Sequence, residues 1–318
     1  MNELTARLAP DRLTTDGAAA LIPSWELVLR AERKSPETIK VYGDGLRRYL
    51  LWCAERGTGP MDRTSLNQWV AGMLDQGAAA GTARVRQLAV RRFTAWLIVE
   101  GRLPADPFQG MTAPRVDQPV VDPLTDDELR ALIKSYAVPS RPNGTGLKEP
   151  LHHRRDEAIV RLMFETGIRP GEVVALEIGD LDLLNGLVHV RRGKGGIGRV
   201  VPIGPTAVEA LRRYLVLRDG HRLAHARDLW LGERGRRFGY DGLSRALRRR
   251  AQRAGIEGFH PHKLRHTAAH RWLARGGSES GLMAMAGWTR TDMLMRYTKA
   301  RASDRAAHEA RRLNLGDL

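Results

Sequence analysis

The sequence predicts a mainly α fold with a small β-sheet, divided into an all-α N-terminal domain and a mixed α/β C-terminal domain. Three observations carry this. From about residue 17 to Leu103 the apolar residues recur at helical spacing with no strand signal; a proline-rich break follows; and beyond it two β-branched runs flank a glycine-rich turn amid further helical patterns. At 318 residues with 42% hydrophobic side chains, the chain is long enough for two domains with cores of their own.

Residues 1–16 are polar and aperiodic and are expected to form a loose tail, with a helical domain from 17 to 103 whose first helix starts near Asp16. Ser35 followed by Pro36 marks a capped helix start, and Ile39, Tyr42, Leu46, Tyr49 and Leu50 continue it. Thr64–Gln76 and Thr82–Glu100 repeat the pattern, giving four helices. The last has an apolar series of Val85, Leu88, Val90, Phe93 and Leu97, and carries Arg84, Arg86, Arg91 and Arg92. Between residues 104 and 123 lie Pro104, Pro107, Pro114, Pro119 and Pro123, expected to form an extended linker. Thr125 with Glu128 reads as the capping box that opens the second domain, 124–318. Residues 139–150 read as an insertion, followed by a helix over 153–166 that ends at Gly167. Leu187–Val190 and Val200–Ile203 read as a hairpin with Lys194 at its tip. Helices are then expected over 205–218, 240–254, 263–275, 279–286, 291–299 and 303–313.

Lys+Arg 52 against Asp+Glu 36 leaves a net charge of +16, which points to a polyanion, most commonly nucleic acid. Arg245, Arg248 and Arg249, with Arg250 and Arg253, form a second basic series expected along the DNA backbone, as for the four arginines above. Both series could merely solvate a surface, and which side chains read bases stays open. No apolar run approaches the ~20 residues of a spanning helix, and the first residues lack the apolar core of a signal peptide, so a cytoplasmic address without membrane contact is expected. The lone Cys53 excludes an internal disulfide and a cysteine-based zinc cluster, and reads as a small buried hydrophobe.

The stretch from His260 to Arg301 concentrates the chemistry. Arg265 offers a guanidinium fork for the non-bridging oxygens of a phosphodiester, and Trp288 a single N–H donor. Tyr297 can attack phosphorus, but its ordinary pKa of ~10 demands cations or a base nearby, and His262 could take or return that proton. Lys194 on a glycine-rich turn could reach a leaving oxygen and protonate it. Each has a bland counterpart: a core Trp or Tyr, a solvated His or Lys, an Arg169–Glu172 surface ion pair. His262, His266 and His270 share a helix face, but Lys263 stands where a zinc protease would have its glutamate, and acidic pairs sit at caps and loops, so no metal is expected. No GxxxxGK[ST] loop is present, and no cofactor is expected.

The run His262-Lys263-Leu264-Arg265-His266-Thr267, then Ala286-Gly287-Trp288, then Tyr297-Thr298 nine residues after the tryptophan, resembles the C-terminal signature of the tyrosine recombinases, the phage-integrase family. Upstream, Thr166-Gly167-Ile168-Arg169-Pro170-Gly171-Glu172 resembles that family's first-arginine box, and Gly193-Lys194-Gly195-Gly196 before Arg199-Val200-Val201-Pro202 its lysine hairpin. The resemblance spans roughly residues 17–313. It implies a SAM-like core-binding domain that clamps double-stranded DNA with the catalytic domain, and a 3′-phosphotyrosyl intermediate formed at Tyr297 without metal or ATP. It further implies that Arg169, Arg265 and Trp288 hold the phosphate, that His262 and Lys194 move protons, that Glu172 and His266 support them, and that a tetramer forms on two duplexes. Trp288 stands where many relatives have histidine. A type IB topoisomerase and a non-catalytic DNA-binding protein of the same fold are the alternatives.

Overall fold

The computed structural model describes residues 13–116, 122–137, 150–191, 198–232 and 238–298. Two compact units are distinguished, Met1–Pro119 and Val120–Leu318.

The first unit is helical among its described residues: α1 (Thr15–Ala20), α2 (Ile22–Ala31), α3 (Pro36–Arg56), α4 (Arg63–Asp75) and α5 (Ala80–Val99). The expected first helix is two, broken at Leu21, because Pro23 starts a new helix and cannot supply a donor to the old one. Ser35 caps α3 through Thr38 N–H, and Gly57 ends it in the left-handed conformation at φ 61°. The α3 and α5 helices pack closely at Gly45, where a Cβ would already touch the Ala89 Cβ at 3.4 Å. Trp25 meets Phe93 edge-on at 5.4 Å, and Cys53 is buried in the same core.

Two expectations are corrected here. Val85 and Leu88 are exposed on α5; its buried side is Ala83, Gln87, Val90, Phe93, Thr94 and Leu97. Buried Gln87 is tolerated because it donates to the Thr112 carbonyl at 3.2 Å, so a polar residue took an inward position that periodicity assigned to its apolar neighbours. The proline-rich stretch is not extended from its start: Leu103, Phe108 and Met111 are buried in the first core, and Arg63 and Arg91 donate to the Gln109 and Met111 carbonyls. Prolines there set turns, and the apolar residues between them supply the anchoring.

The second unit opens with the Thr125–Glu128 capping box on α6 (Asp126–Lys134), and the Leu124 N–H bonds the Thr267 hydroxyl at 2.9 Å. There follow α7 (Leu151–Thr166), α8 (Pro170–Val174), and an antiparallel sheet in the order β1 (Leu181–Asp182), β2 (Leu187–Val190), β3 (Arg199–Pro202). Then come α9 (Pro205–Asp219), α10 (Tyr240–Arg253), α11 (Pro261–Ala274), α12 (Glu279–Ala286) and α13 (Thr291–Thr298). β1 escaped the sequence reading because two residues are too few to alternate; it pairs Leu181 with Val188 across a turn that Gly186 enters at φ 66°. Buried α7 forms the centre, packed by α9 and α11, and Trp230 is pinned against α8 through its N–H to the Val173 carbonyl at 2.7 Å. The insertion at 139–150 falls outside the described residues apart from Pro150, and the helix expected over 303–313 falls outside them altogether.

Candidate active site

Helix α7 stops at Gly167, whose φ of 64° turns the chain so that Arg169 begins α8. The Arg169 side chain donates from Nη1 to Glu172 Oε1 at 2.8 Å and from Nη2 to the Gly287 carbonyl at 3.1 Å. Glu172 also accepts the Arg169 backbone N–H at 3.0 Å. The Arg169–Glu172 pair is not a surface pair, since Glu172 is 7% exposed. Burial by itself would raise its carboxyl pKa; hydrogen bonds from Arg199 and from Arg169 outweigh that and hold it below the usual range.

Arg199, the first residue of β3, is the second cation on Glu172. It donates from Nη2 to Oε2 at 2.8 Å, from Nη1 to Oε1 at 3.2 Å, and from Nε to the Met285 carbonyl at 2.8 Å. Sequence reasoning quoted Arg199 without giving it a role. Period-two alternation along β3 was the available signal: Val201 is fully buried and Val200 half exposed, which turns Arg199 inward.

Arg265 is buried in the first turns of α11 and donates to the Gly167 carbonyl at 2.5 Å and to the Ala286 carbonyl at 2.9 Å. Burial, then the charge of Arg169, draw its pKa down to about 10, so it stays charged at neutral pH. Its guanidinium carbon lies 5.2 Å from the Trp288 ring. Trp288 follows Gly287, the left-handed cap of α12, and stacks on Tyr297 at 5.1 Å and 16°. The Trp288 Nε1 is buried and has no hydrogen-bond partner among the described residues.

Tyr297 on α13 is 3% exposed, and its hydroxyl lies 2.6 Å from His266 Nδ1. The His270 ring meets it edge-on at 5.4 Å. Burial, reinforced by His260, His262, His270 and Arg265, pushes His266 down to about 4, so the imidazole is neutral at pH 7. When the phenol donates to Nδ1, the neutral ring carries its proton on Nε2. His266, read from sequence as a supporting residue, thus touches the phenol directly. His262 lies one turn earlier on α11, its pKa lowered by burial and then by His260, Arg265 and Arg169.

Lys194 lies outside the described residues. Among the predicted DNA contacts, Arg84 and Arg92 are exposed on α5, whereas Arg86 reaches the Met73 sulfur at 3.3 Å and Arg91 braces Met111. Arg245, Arg248 and Arg249 are exposed on α10. Arg250, read as part of that face, is turned inward instead: it lies over the Tyr136 ring at 4.4 Å and donates to the Ser135 carbonyl. On a helix, residues one apart point about 100° from each other, and Arg250 shares its side with buried Leu243 and Leu247. Among the described residues no three His, Cys, Asp or Glu side chains gather as a metal ion would require, and no helix is long and apolar enough to cross a membrane.

Chemically, the cluster presents guanidiniums, an orphan indole N–H and a base-linked phenol, with one carboxylate already shared by two arginines. Such a set suits an anion with oxygens to hold and an atom to attack.

Comparison with known proteins gives the same direction. Residues 124–304 match the phage integrase family, and residues 22–101 match the phage integrase N-terminal SAM-like domain. The tyrosine recombinase XerC of Mycobacterium tuberculosis is 33% identical over 289 residues, covering 87% of this chain and 92% of the relative. XerC of Corynebacterium glutamicum is 30% identical over 234 residues, covering 74% and 72%. In fold, the chain resembles the XerH site-specific recombinase bound to palindromic difH substrate in a post-cleavage complex, with a TM-score of 0.69 at 17% identity over 93% of this chain and 84% of that one. It also resembles a lambda integrase dimer bound to a COC′ core site, with a TM-score of 0.65 at 16% identity over 87% and 94%. On these matches the chain belongs to the phage integrase family, the tyrosine recombinases.

Proposed function

We propose that this chain is a site-specific recombinase whose Tyr297 phenol cuts duplex DNA by forming a 3′-phosphotyrosyl bond, and that the reverse attack rejoins it. The single observation that supports this most is the Tyr297 hydroxyl hydrogen-bonded to a neutral His266 while its ring stacks on Trp288, beside Arg265. The phenol oxygen attacks phosphorus as its proton passes to His266 Nδ1, and the P–O5′ bond breaks. Arg169, Arg265 and the Trp288 N–H hold the non-bridging oxygens, with His262 beside them. Lys194 gives its proton to the departing 5′-oxygen. A 5′-hydroxyl from the partner strand then attacks the phosphotyrosine, restores the phosphodiester and returns the phenol. One ester replaces another at each step, so the bond energy is conserved and ATP is not consumed.

The XerC relatives are tyrosine recombinases, and the lambda integrase structure holds a dimer on its core site. By that likeness the working unit here is a dimer on each double-stranded DNA, and exchange between two duplexes would bring four chains together. The experiment uses duplexes that the full chain selects from a randomised pool, nicked near the cut so that the cleaved end is lost. Wild type should form a covalent protein–DNA adduct on the nicked duplex and exchange strands between two differently marked intact duplexes. Tyr297→Phe should bind the same duplex and form no adduct. Religation of the original strand alone would make the chain a topoisomerase, and binding without any adduct would make it a non-catalytic DNA-binding protein.

A further inference from the structure

Arg199 occupies a position that the reaction above leaves unused. It joins three parts of the site: the start of β3, the Glu172 carboxylate on α8, and the end of α12 through the Met285 carbonyl. Its contact with Gly287 is close enough that a Cβ there would meet Nη1 at 2.9 Å and Cζ at 3.0 Å. The Gly287 carbonyl is in turn the acceptor for Arg169 Nη2, and the next residue is Trp288.

Exposure separates the two arginines that share Glu172. The Arg169 side chain retains 25% of its surface and Arg199 only 11%. Arg199 is therefore the inner cation, with donors on both carboxylate oxygens and a carbonyl, and Arg169 is the outer one. Charge counting gives the consequence. Arg169 paired with Glu172 alone would be a neutral ion pair, ill suited to attract a phosphate. With Arg199 taking both oxygens of Glu172, the carboxylate is neutralised from within and the outer guanidinium keeps its positive field.

We propose that Arg199 is a positioning residue for the reaction: it holds and neutralises Glu172 so that Arg169 is aimed, fully charged, at the scissile phosphate. This rests on the recombinase reading. It also gives Gly287 a use beyond its φ of 64°, because a Cβ there would crowd the Arg199 guanidinium and oblige it to shift.

The test compares adduct formation by wild type, Arg199→Ala and Arg199→Lys on two versions of the selected nicked duplex. One carries the ordinary scissile phosphodiester, the other a methylphosphonate, in which a methyl group replaces one charged oxygen and the centre is neutral. On the phosphodiester, Arg199→Ala should cleave about 100-fold more slowly than wild type at unchanged duplex affinity, as for a catalytic group displaced by about an ångström. On the methylphosphonate the gap between the two proteins should shrink to less than about 10-fold, since a neutral centre has little need of an aimed cation. Arg199→Lys keeps the charge but cannot span both oxygens, and should fall between them on the phosphodiester. Should the alanine variant fail to fold, the lysine variant carries the same comparison. Wild-type rates for the variants on the phosphodiester would overturn the proposal. An equal loss on both duplexes would also overturn it and leave Arg199 a purely structural brace. If wild type itself forms no adduct on either duplex, the recombinase reading fails and this inference falls with it.

Discussion

Replacing Trp288 with phenylalanine separates what the indole ring does from what its N–H does. The ring stacks on Tyr297 at 5.1 Å and lies 5.2 Å from the Arg265 guanidinium, contacts a phenyl ring can largely keep. The N–H is buried without a partner among the described residues, and a buried unsatisfied donor costs about 1–3 kcal/mol. Losing it relieves that cost, while the missing ring atoms leave a small void that costs a comparable amount, so the net stability change should stay within about 1 kcal/mol. Activity should move much further. If the donor is held ready for a phosphate oxygen, its loss should slow cleavage about 100- to 1,000-fold, the effect of removing one oxyanion donor. Trp288→His, which brings back an N–H, should recover much of that loss, and Trp288→Ala should lose the stacking as well. Single-turnover adduct formation and thermal unfolding, measured in parallel on the full chain, check this. A phenylalanine variant that cleaves at the wild-type rate would refute the assignment of the indole N–H to the phosphate.

Further outcomes follow from the same geometry. His266 and His153 are both held at about 4 in the folded chain, against an ordinary value near 6.5. Below pH 6.5 the unfolded chain takes up protons that the folded one refuses, so stability is fully present above that pH and should drain away as pH falls towards 4, with the more buried His266 contributing more of the loss than His153. Denaturant titrations at pH 7 and pH 5 measure it, His266→Gln should flatten the profile, and a wild-type profile that is flat to begin with would contradict the assignment. Arginines on α10 should split by orientation. Arg245→Ala, Arg248→Ala and Arg249→Ala should each weaken duplex binding and reduce its salt slope by about 1, with little effect on unfolding. Arg250→Ala should instead destabilise the fold by about 2–4 kcal/mol, because it removes a charged hydrogen bond to Ser135 and a cation over Tyr136. Equal behaviour of the four in a binding and melting series would sink that distinction.

Much of the fold was legible where local chemistry decides it. Ser35-Pro36, Thr125 with Glu128, and Gly167 announce helix ends because capping and left-handed turns depend on those residues and little else. What escaped depends on tertiary contact. Gln87 is inward because a carbonyl of the following segment meets it, Phe108 and Met111 because a hydrophobic surface waits for them, and β1 because a neighbouring strand extends two residues into a sheet. The site divides in the same way. Ordered boxes named Arg169, Arg265, Trp288 and Tyr297, but the Glu172–Arg199 pair joins residues 27 apart in sequence and the Tyr297–His266 bond residues 31 apart. No periodicity within one element can show such pairs, although the inward phase of Arg199 on β3 was there to be read.

The most direct measurement identifies the atom that becomes joined to DNA. Wild-type chain is trapped on its selected duplex, the duplex is digested, and the modified peptide is sequenced by mass spectrometry. The nucleotide should be found on Tyr297, through a phosphate that keeps its 3′ linkage, and Tyr297→Phe should yield no modified peptide at all. A nucleotide carried by any other side chain, or a linkage through the 5′ side, would contradict the account at its centre.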